Sequence, residues 1–513
     1  MAVNIDPLVR IECGQGGIFL PRKLPIFYSA LLLTAVNLLL RFAGTTFQVY
    51  LSGRIGAGGI GLLQLVLSVG GLALTAGMAG IRTTTMYLTA EELGKGRPGN
   101  VIWVLSGCVG YSVICSCLVG LGLYFAAPMI ASQWIGNPAT TGAVRLLSCA
   151  LPISCLSGVM VGYFTAANRI GTLAAVEVAE QVFSMAATLA LFRFWAHTDP
   201  VKACMSVILG SSLGACLTLL CLVFLRLREK APAGPRLAIS RRLLQAAVPL
   251  ALADDLKAGI STTENLIVPK RLALYPAGTD PLAAFGTVTG MVFPVLMFPA
   301  AILFALAELL IPELARCNAA GSDRRIRYLT RRSLRLALIY GCLFGGLMVL
   351  LAEPLCQALY GSSEAGLSLK RYALLIPMLY CDAITDAMTK GLGQQKACVR
   401  YNILTSSMDV AFLFVLLPRY GMNGYFFSFL VTHLLNFLLS LGRLLKISKV
   451  RIRVGVPILA LLATAAAVIA AGFIKLVLWK ILGYLAILGC LLFLLRVLSK
   501  EDLQWLRGLL YKK

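Results

Sequence analysis

A short stretch of the chain carries charged side chains among apolar neighbours. Residues 247–272 read AVPLALADDLKAGISTTENLIVPKRL, and the charges near the middle are Asp254, Asp255, Lys257 and Glu264. At about 100° per residue, a helix gathers five polar side chains on a face about 100° wide. These five are Asp254, Lys257, Ser261, Glu264 and Asn265. Asp255 falls about 100° away from Asp254 and stays unassigned. The pattern predicts one ionisable wall on an otherwise apolar helix.

The first long apolar run has the same property. Its polar side chains fall on a face about 80° wide, and they are Thr34, Asn37, Arg41, Thr45 and Gln48. A charge near the bilayer centre costs at least about 2.5–3.5 kcal/mol, so such stripes face water or one another. Two interpretations stay open. Both stripes could line a hydrated cavity, or sealed salt bridges could pair Asp254 with Lys257 and Glu264 with Arg41.

Other reactive groups are sparse. The two histidines, His197 and His433, do not cluster, and serine, histidine and aspartate form no triad pattern. The fifteen cysteines show neither zinc spacing nor a paired framework. No glycine loop precedes a Lys-Ser or Lys-Thr pair, as an ATPase would need. We therefore expect no enzyme, no catalytic residue, no metal and no cofactor.

The composition is that of a membrane protein. Of 513 residues, 59% are hydrophobic and 13% are charged, whereas soluble domains have about 25% charged residues. Several uncharged runs exceed the roughly 20 residues that cross a bilayer. The sequence predicts an all-α polytopic protein with about fourteen transmembrane helices. The predicted spans are 24–50, 60–83, 101–127, 141–167, 171–194, 202–226, 241–269, 281–312, 333–353, 364–390, 396–417, 421–443, 453–474 and 477–496.

The charge pattern predicts an orientation. Most of the 46 lysines and arginines fall in alternate connecting segments. Because lysine and arginine are enriched in cytoplasmic loops, these segments are predicted to be cytoplasmic. The first apolar run is too long for the core of a cleaved signal peptide. We therefore expect a multi-pass protein of the bacterial cytoplasmic membrane with both termini in the cytoplasm. Orientation and attraction to anionic lipids account for the net charge of +24, so no nucleic-acid partner is expected.

The basic segment RLREKAPAGPRLAISRR (226–242), which contains proline and glycine, divides the chain into two parts. TAVNLLL (34–40) and AAVPLAL (246–252) open the two parts similarly, and repeated halves are common in transporters. We predict two pseudo-symmetric six-helix bundles followed by two extra helices. The predicted units are an N-terminal segment (1–23), a first bundle (24–226), a linker (227–240), a second bundle (241–443), two C-terminal helices (453–496) and a cytoplasmic tail (497–513).

Several segments resemble one known family. They are LLLTAVNLLLRFAGTTFQVYLSGRIGAGGIGLLQL (31–65), AGIRTTTMYLTAEELGKG (79–96), ENLIVPKRLALY (264–275), VFPVLMFPAAILFALAELLIPELA (292–315), KGLGQQKA (390–397) and YGMNGYFFS (420–428). In this order and spacing they resemble the stage V sporulation protein B-like polysaccharide flippases. These belong to the multidrug/oligosaccharidyl-lipid/polysaccharide exporter superfamily, together with the lipid II flippase and drug antiporter branches.

The resemblance implies a function and a site. Such carriers move an undecaprenyl-linked sugar or cell-wall precursor to the outer leaflet by alternating access, without hydrolysing ATP. Arg41 matches the family's first-span arginine in position, and Arg54 lies in the similar LSGRIG segment. Lys257 is a candidate seventh-span cation that matches no family motif. The expected cavity comprises Asn37, Arg41, Gln48, Arg54, Asp254, Lys257, Ser261, Glu264 and Asn265. The two C-terminal helices would hold the lipid tail. Expected partners are the lipid-linked glycan and membrane lipids, and we expect a monomer.

Two other functions stay open. The seventh-span carboxylates suit a drug or metabolite antiporter, in which Asp254 or Glu264 would couple transport to sodium or protons. A non-transporting scaffold of a cell-wall or spore-cortex assembly is the third hypothesis, but a scaffold needs no facing polar stripes. For the flippase, a sodium ion, a proton gradient or the membrane potential could supply the driving force.

Overall fold

The computed structural model describes residues 26–196, 199–228, 239–276, 280–450, 455–495 and 497. Helices make up almost all of these residues, and the described chain contains no strand. The α-helices are α1 (Ile26–Met78), α2 (Ile81–Gly94), α3 (Val101–Met129), α4 (Thr141–Ala166), α5 (Ile170–Leu191), α6 (Pro200–Leu227), α7 (Ser240–Leu272), α8 (Pro281–Gly286), α9 (Phe293–Met297), α10 (Ala300–Ala319), α11 (Asp323–Tyr360), α12 (Ser363–Ala373), α13 (Ile376–Gly391), α14 (Gln395–Tyr420), α15 (Met422–Ser448), α16 (Gly455–Gly472) and α17 (Val477–Leu494).

The structure supports a polytopic membrane protein, but it does not confirm the predicted number of membrane spans. Within the described residues, ten helices are long and apolar enough to cross a bilayer, or eleven if one bent pair is a single span. The first two predicted spans fall mostly in α1, which breaks at Gly56 with a φ of 70°, and the second span continues past the end of α1 into α2. The charged helix α7 is not among the ten. The tenth predicted span is divided into α12 and α13, of 11 and 16 residues. The count of fourteen stays a prediction.

The eighth predicted span is bent. Its first part, Pro281–Met297, meets α10 at an angle of 64°. Pro299 lies in the break, and proline frees a carbonyl that would otherwise accept a helical hydrogen bond. Tyr340 Oη donates to Pro299 O at 2.7 Å, and Tyr380 Oη donates to Leu296 O at 3.0 Å. Both tyrosines therefore satisfy backbone groups that lipid could not.

A glycine-lined contact joins the two parts of the chain. The second half of α1 packs against α8 so closely that a Cβ at Gly286 would collide with Ala57 O. A Cβ at Gly61 would collide with Leu282 O in the same way. We call this α1–α8 contact the glycine seam. It lies at the end predicted to be outer, because α1 reaches it after the first predicted span.

The last two helices, α16 and α17, pack against α11. Tyr484 is fully buried, and its Oη donates to Cys342 O at 2.8 Å. Gly346 leaves room for this hydroxyl, because any Cβ there would collide with Tyr484. The outward surfaces of both helices remain apolar and exposed, as membrane-facing helices should be.

Candidate functional site

A polar cavity lies between the end of α1, the start of α2 and the middle of α7. Its volume is about 460 Å³. We call it the α2–α7 cavity. Its lining residues are Leu74, Thr75, Met78, Gly80, Arg82, Thr83, Asp254, Lys257, Ala258 and Ser261. It therefore brings together three residues of the predicted α7 stripe and adds an arginine from the other part of the chain.

A break in the backbone shapes one wall of this cavity. Ala79 and Gly80 have positive φ angles of 42° and 69°, which end α1 and let α2 begin at Ile81. A Cβ at Gly80 would lie 2.8 Å from Ala247 O, so glycine allows α7 to approach the break. A left-handed conformation without a Cβ is what glycine provides. The break carries Arg82 to the cavity.

The cavity holds two cations and one carboxylate, and Arg82 also interacts electrostatically with Glu177 of α5. Arg82, Asp254 and Lys257 are all exposed to open space. Within the described part of the chain, none of the three forms an ion pair. The predicted sealed bridge between Asp254 and Lys257 is therefore absent from this structure. Guanidinium and ammonium groups that face open space and form no ion pair favour an anionic ligand, and phosphate oxygens suit the guanidinium fork.

The structure does not bring the predicted α1 stripe into this cavity. The guanidinium of Arg41 lies 4.8 Å from the ring centroid of Phe304 in α10. Gln48 Nε2 donates to Gly290 O at 3.0 Å, beside the glycine seam. Arg54 faces a different groove, between α1 and α5. The side chain of Asn37 lies outside the described residues. The second sealed bridge, between Glu264 and Arg41, is also absent.

The remaining residues of the α7 stripe contact other helices. Asn265 Nδ2 donates to Ser68 Oγ at 2.9 Å, which ties α7 to α1. Glu264 turns towards α14, where its carboxylate lies near Ser406 and Asp409. Asp255 is half-buried, and its Oδ1 has no hydrogen-bond partner among the described residues. The stripe is thus divided between the cavity and two helix contacts.

Glu264 belongs to a second polar cluster in the C-terminal part. Asp409 Oδ1 accepts a hydrogen bond from Ser428 Oγ, and another from Thr432 Oγ1 at 3.2 Å. His433 lies one position further along α15 and stacks on Phe429. We call Glu264, Ser406, Asp409, Ser428 and Thr432 the α7–α14 cluster. Two neighbouring carboxylates with hydroxyl groups favour a bound proton or a small cation.

An ion-pair network joins α2 and α7 at the end predicted to be cytoplasmic. Arg242 Nη2 lies 2.7 Å from Glu91 Oε2, and Arg242 Nη1 lies 3.1 Å from Glu92 Oε1. Asn100 Nδ2 also donates to Glu92 Oε2, at 3.0 Å. Glu92 is buried, so this contact is more than a surface pair. We call it the α2–α7 latch.

Two residues of these sites were missing from the sequence-based prediction. Arg82 looked like one more cytoplasmic arginine, although the preceding Ala-Gly pair is a signal for a helix break. Asp409 is the one carboxylate of its predicted span, and a carboxylate in a membrane span is the signal that drew attention to Asp254. No group of three or more potential metal ligands occurs among the described residues.

Sequence comparison identifies the family. The profile of the polysaccharide biosynthesis protein family matches residues 104–363, which are 260 of the 513 residues. The chain belongs to this family. This polysaccharide biosynthesis protein is also 22% identical to stage V sporulation protein B of Bacillus subtilis strain 168 over 443 residues. The alignment covers 83% of this chain and 84% of the relative. The resemblance inferred from the motifs is therefore confirmed.

Solved structures show which fold this family member has. The lipid II flippase MurJ, in an inward closed conformation, superposes with a TM-score of 0.69 at 11% identity. That match covers 90% of this chain and 98% of MurJ. An inward-facing multidrug resistance MATE transporter of the MOP superfamily gives a TM-score of 0.65 at 13% identity, over 82% of this chain and 99% of that one. The polysaccharide biosynthesis protein thus shares the fold of these two proteins.

Proposed function

We propose that this protein is a flippase for a lipid-linked sugar, such as an undecaprenyl-linked polysaccharide or peptidoglycan precursor. The observation that supports this most is the α2–α7 cavity, where Arg82 and Lys257 face open space without ion-pair partners. In this proposal the two cations bind the phosphate or pyrophosphate of the substrate. The Asp254 carboxylate accepts hydrogen bonds from sugar hydroxyls, and the Ser261 hydroxyl donates or accepts one.

The physical need for such a cavity is clear. A pyrophosphate-sugar cannot enter hydrocarbon, because its polar groups would lose water without gaining partners. A cavity with fixed cations replaces that water, while a prenyl tail remains in the lipid. In this proposal the head group crosses between the two parts of the chain, and the protein needs no hydrolysis of ATP.

Alternating access requires one closed end at a time. The glycine seam closes the α1–α8 contact at the predicted outer end. The α2–α7 latch, centred on Arg242, joins the predicted cytoplasmic ends. We propose that the latch opens to admit substrate from the cytoplasmic leaflet and that the seam opens to release it outside. Direction from inner to outer leaflet is part of the proposal.

The finer topology belongs to the same proposal. We propose fourteen spans, with six-helix bundles at 24–226 and 241–443, a linker at 227–240 and two further helices within 453–496. Segments 1–23 and 497–513 would then lie in the cytoplasm of a bacterium. The protein would act as a monomer in the cytoplasmic membrane, with the lipid-linked glycan and membrane lipids as its partners.

The driving force is the second element of the proposal. The α7–α14 cluster places Glu264 beside Asp409 and two hydroxyl donors, which suits uptake of a sodium ion or proton. We propose that this cluster couples transport to an ion gradient. The same observation favours the antiporter alternative, in which a drug or metabolite replaces the lipid-linked sugar. Of the two predicted coupling residues, Glu264 is supported and Asp254 faces the cavity instead.

A reconstituted transport assay tests the function. Purified protein in vesicles would receive a fluorescent lipid-linked sugar in one leaflet, and a membrane-impermeant quencher would report its transfer. We expect transfer by the unaltered protein, and at least about tenfold slower transfer after Arg82→Gln or Lys257→Gln, since each removes a charge-assisted contact. Arg228→Gln is the matched control, because Arg228 stacks on Phe224 away from the cavity.

The assay also separates the two candidate functions. If the protein transfers lipid-linked sugar, and both Arg82→Gln and Lys257→Gln slow that transfer, the flippase function is supported. Exchange of a cationic drug against sodium or protons, with no transfer of any lipid-linked sugar, would reverse the ranking. Binding of a detergent-solubilised partner without transport of either substrate would instead favour the scaffold hypothesis.

A further inference from the structure

A second and larger opening lies between α1 and α5, away from the α2–α7 cavity. Its volume is about 960 Å³, and we call it the α1–α5 groove. One wall is a helical stripe of α1 that includes Leu39, Phe42 and Tyr50. The opposite wall contains Met185 and Leu189 of α5. The spacing of three, four and seven residues is that of one helix face, so the groove follows the helix axes.

The groove is apolar except at one end. Thr46 also lines it, but its hydroxyl donates to Phe42 O within α1 and so presents no free donor. The two charged lining residues are Arg54 and Arg193, and both are exposed. Each follows the last apolar lining residues of its own helix. The groove thus combines a hydrocarbon-like channel with a cationic end.

The arginines lack an anionic partner in the described chain. Arg54 lies with its guanidinium carbon 5.5 Å from the Tyr50 ring centroid. Neither Arg54 nor Arg193 forms an ion pair with another described residue. Two cations at one end of an apolar groove complement a ligand with a negative head and a hydrocarbon chain. Arginine pairs with phosphate through two parallel hydrogen bonds, so a phosphate head is the best match.

The depth of the arginines also fits a lipid phosphate. Phe194 and Trp195 follow Arg193 directly and are 83% and 41% exposed. Exposed aromatic residues of this kind mark the membrane–water interface, where tryptophan is enriched. Arg54 lies at the same end, two residues before the Gly56 break. Both guanidinium groups therefore lie at the level of lipid head groups.

The length of the groove distinguishes between lipids. From Leu39 to Arg54 the α1 wall spans fifteen residues, or about 22 Å at 1.5 Å per residue. One leaflet supplies about half of the 30 Å hydrocarbon core, or about 15 Å. The groove therefore continues past the bilayer midplane. An ordinary acyl chain ends near that midplane, whereas a longer single chain would fill the groove.

We propose that the α1–α5 groove binds a polyisoprenyl phosphate lipid, with the phosphate between Arg54 and Arg193 and the chain along α1 and α5. The inference rests on the proposed function for the role of this lipid. It adds a contact at the predicted outer leaflet that is separate from the α2–α7 cavity. In this arrangement the groove holds the carrier lipid before or after its head group has crossed.

Photolabelling tests the groove directly. The full chain would be placed in phosphatidylcholine nanodiscs with a polyprenyl monophosphate that carries a photoreactive group on its chain. We expect labelled peptides from α1 and α5, with an apparent Kd at least about tenfold higher for the Arg54→Gln, Arg193→Gln double variant. Ala43→Trp, which fills the groove, should reduce labelling similarly. The double variant Arg54→Lys, Arg193→Lys keeps both charges, so its labelling should fall much less than that of the double glutamine variant.

The matched control is Arg145→Gln. Arg145 also lies at the predicted outer end and over an aromatic ring, Tyr124, but it does not line the groove. Its labelling should equal that of the unaltered protein. Equal labelling of the double glutamine variant would overturn the proposal. The proposal would also be overturned if phosphatidylglycerol reduced labelling as strongly as unlabelled polyprenyl phosphate does. The groove would then hold bulk phospholipid.

The outcome is independent of the transport assay. Lys257→Gln should stop transport while leaving groove labelling unchanged. If the unaltered protein transports no lipid-linked sugar, the proposed function fails, but loss of labelling in the double variant would still establish the groove. If transport is found and labelling is insensitive to both arginines, only the groove proposal fails.

Discussion

Arg242 of α7 contacts Glu92 of α2 across 150 positions of sequence, with 3.1 Å between Nη1 and Oε1. Glu92 is only 2% exposed, so this pair joins two helices from different parts of the chain through a buried carboxylate. Residues so distant in sequence meet only when α2 and α7 are adjacent. The pair therefore reports the closed state of the predicted cytoplasmic end.

Removing Arg242 should open that end. Arg242→Ala leaves the buried Glu92 with Asn100 as its remaining partner, which costs about 1–3 kcal/mol. We expect a larger fraction of molecules with α2 and α7 apart, measured as a longer distance between spin labels at their ends. The double variant Arg242→Met, Glu92→Gln removes both charges and should restore part of the short distance. An unchanged distance distribution in Arg242→Ala would show that the latch does not control the closed state.

Closing the outer end should depend on the glycine seam. Gly286→Ala places a Cβ against Ala57 O, and overpacking of this kind costs about 1–3 kcal/mol. We expect slower transport and greater labelling of engineered cysteines by impermeant reagents added outside. Gly71→Ala in α1 is the control, since a Cβ there meets nothing within 4 Å. Equal effects of the two substitutions would argue against a specific role for the seam.

Ion coupling should depend on the α7–α14 cluster. Glu264→Gln removes a charge beside Asp409 but keeps the size of the side chain. We expect transport that no longer responds to a sodium or proton gradient, with substrate binding to the α2–α7 cavity retained. Gradient-driven flux and equilibrium binding would be measured on the same preparation. Glu364→Gln at the exposed start of α12 provides the control, and full gradient dependence in Glu264→Gln would refute the coupling role.

Arg41 gives a prediction that differs from that for the cavity cations. Its guanidinium stacks over Phe304 and so links α1 to α10, a contact worth about 0.5–2 kcal/mol. We expect Arg41→Ala to abolish transport while expression and folding persist. Arg41→Lys keeps the charge but loses the planar stack, so intermediate transport is expected. Near-normal transport by Arg41→Ala, in vesicles loaded with labelled lipid-linked sugar, would remove Arg41 from the mechanism.

Local sequence rules account for much of the helical architecture. Uncharged runs such as 101–127 and 203–225 became α3 and α6, because twenty apolar residues have few alternatives in a bilayer. The rules were weaker where a helix is broken or charged. Gly56 separates two predicted spans inside α1, and Leu374 and Leu375 interrupt another between α12 and α13. Hydropathy averages over such breaks and cannot locate them.

The helical wheel predicted which α7 residues share a face, but not what that face contacts. Asp254, Lys257 and Ser261 line one cavity, whereas Glu264, at the edge of the stripe, faces α14. A face about 100° wide can contact two neighbours at once. Which helices pack beside α7 depends on contacts distant in sequence, such as Asn265 with Ser68. Their functional roles stay predictions until the variants are measured.

The size of the α2–α7 cavity has a consequence for the resting membrane. At about 30 Å³ per water molecule, its 460 Å³ holds roughly fifteen waters. The latch joins α2 and α7 at the predicted cytoplasmic end, and the glycine seam joins α1 and α8 at the predicted outer end. With both contacts closed, we expect an idle carrier to offer no continuous water column to ions that are driven by about 2.3 kcal/mol per charge at 100 mV. The empty protein could therefore remain in an energised membrane without discharging it.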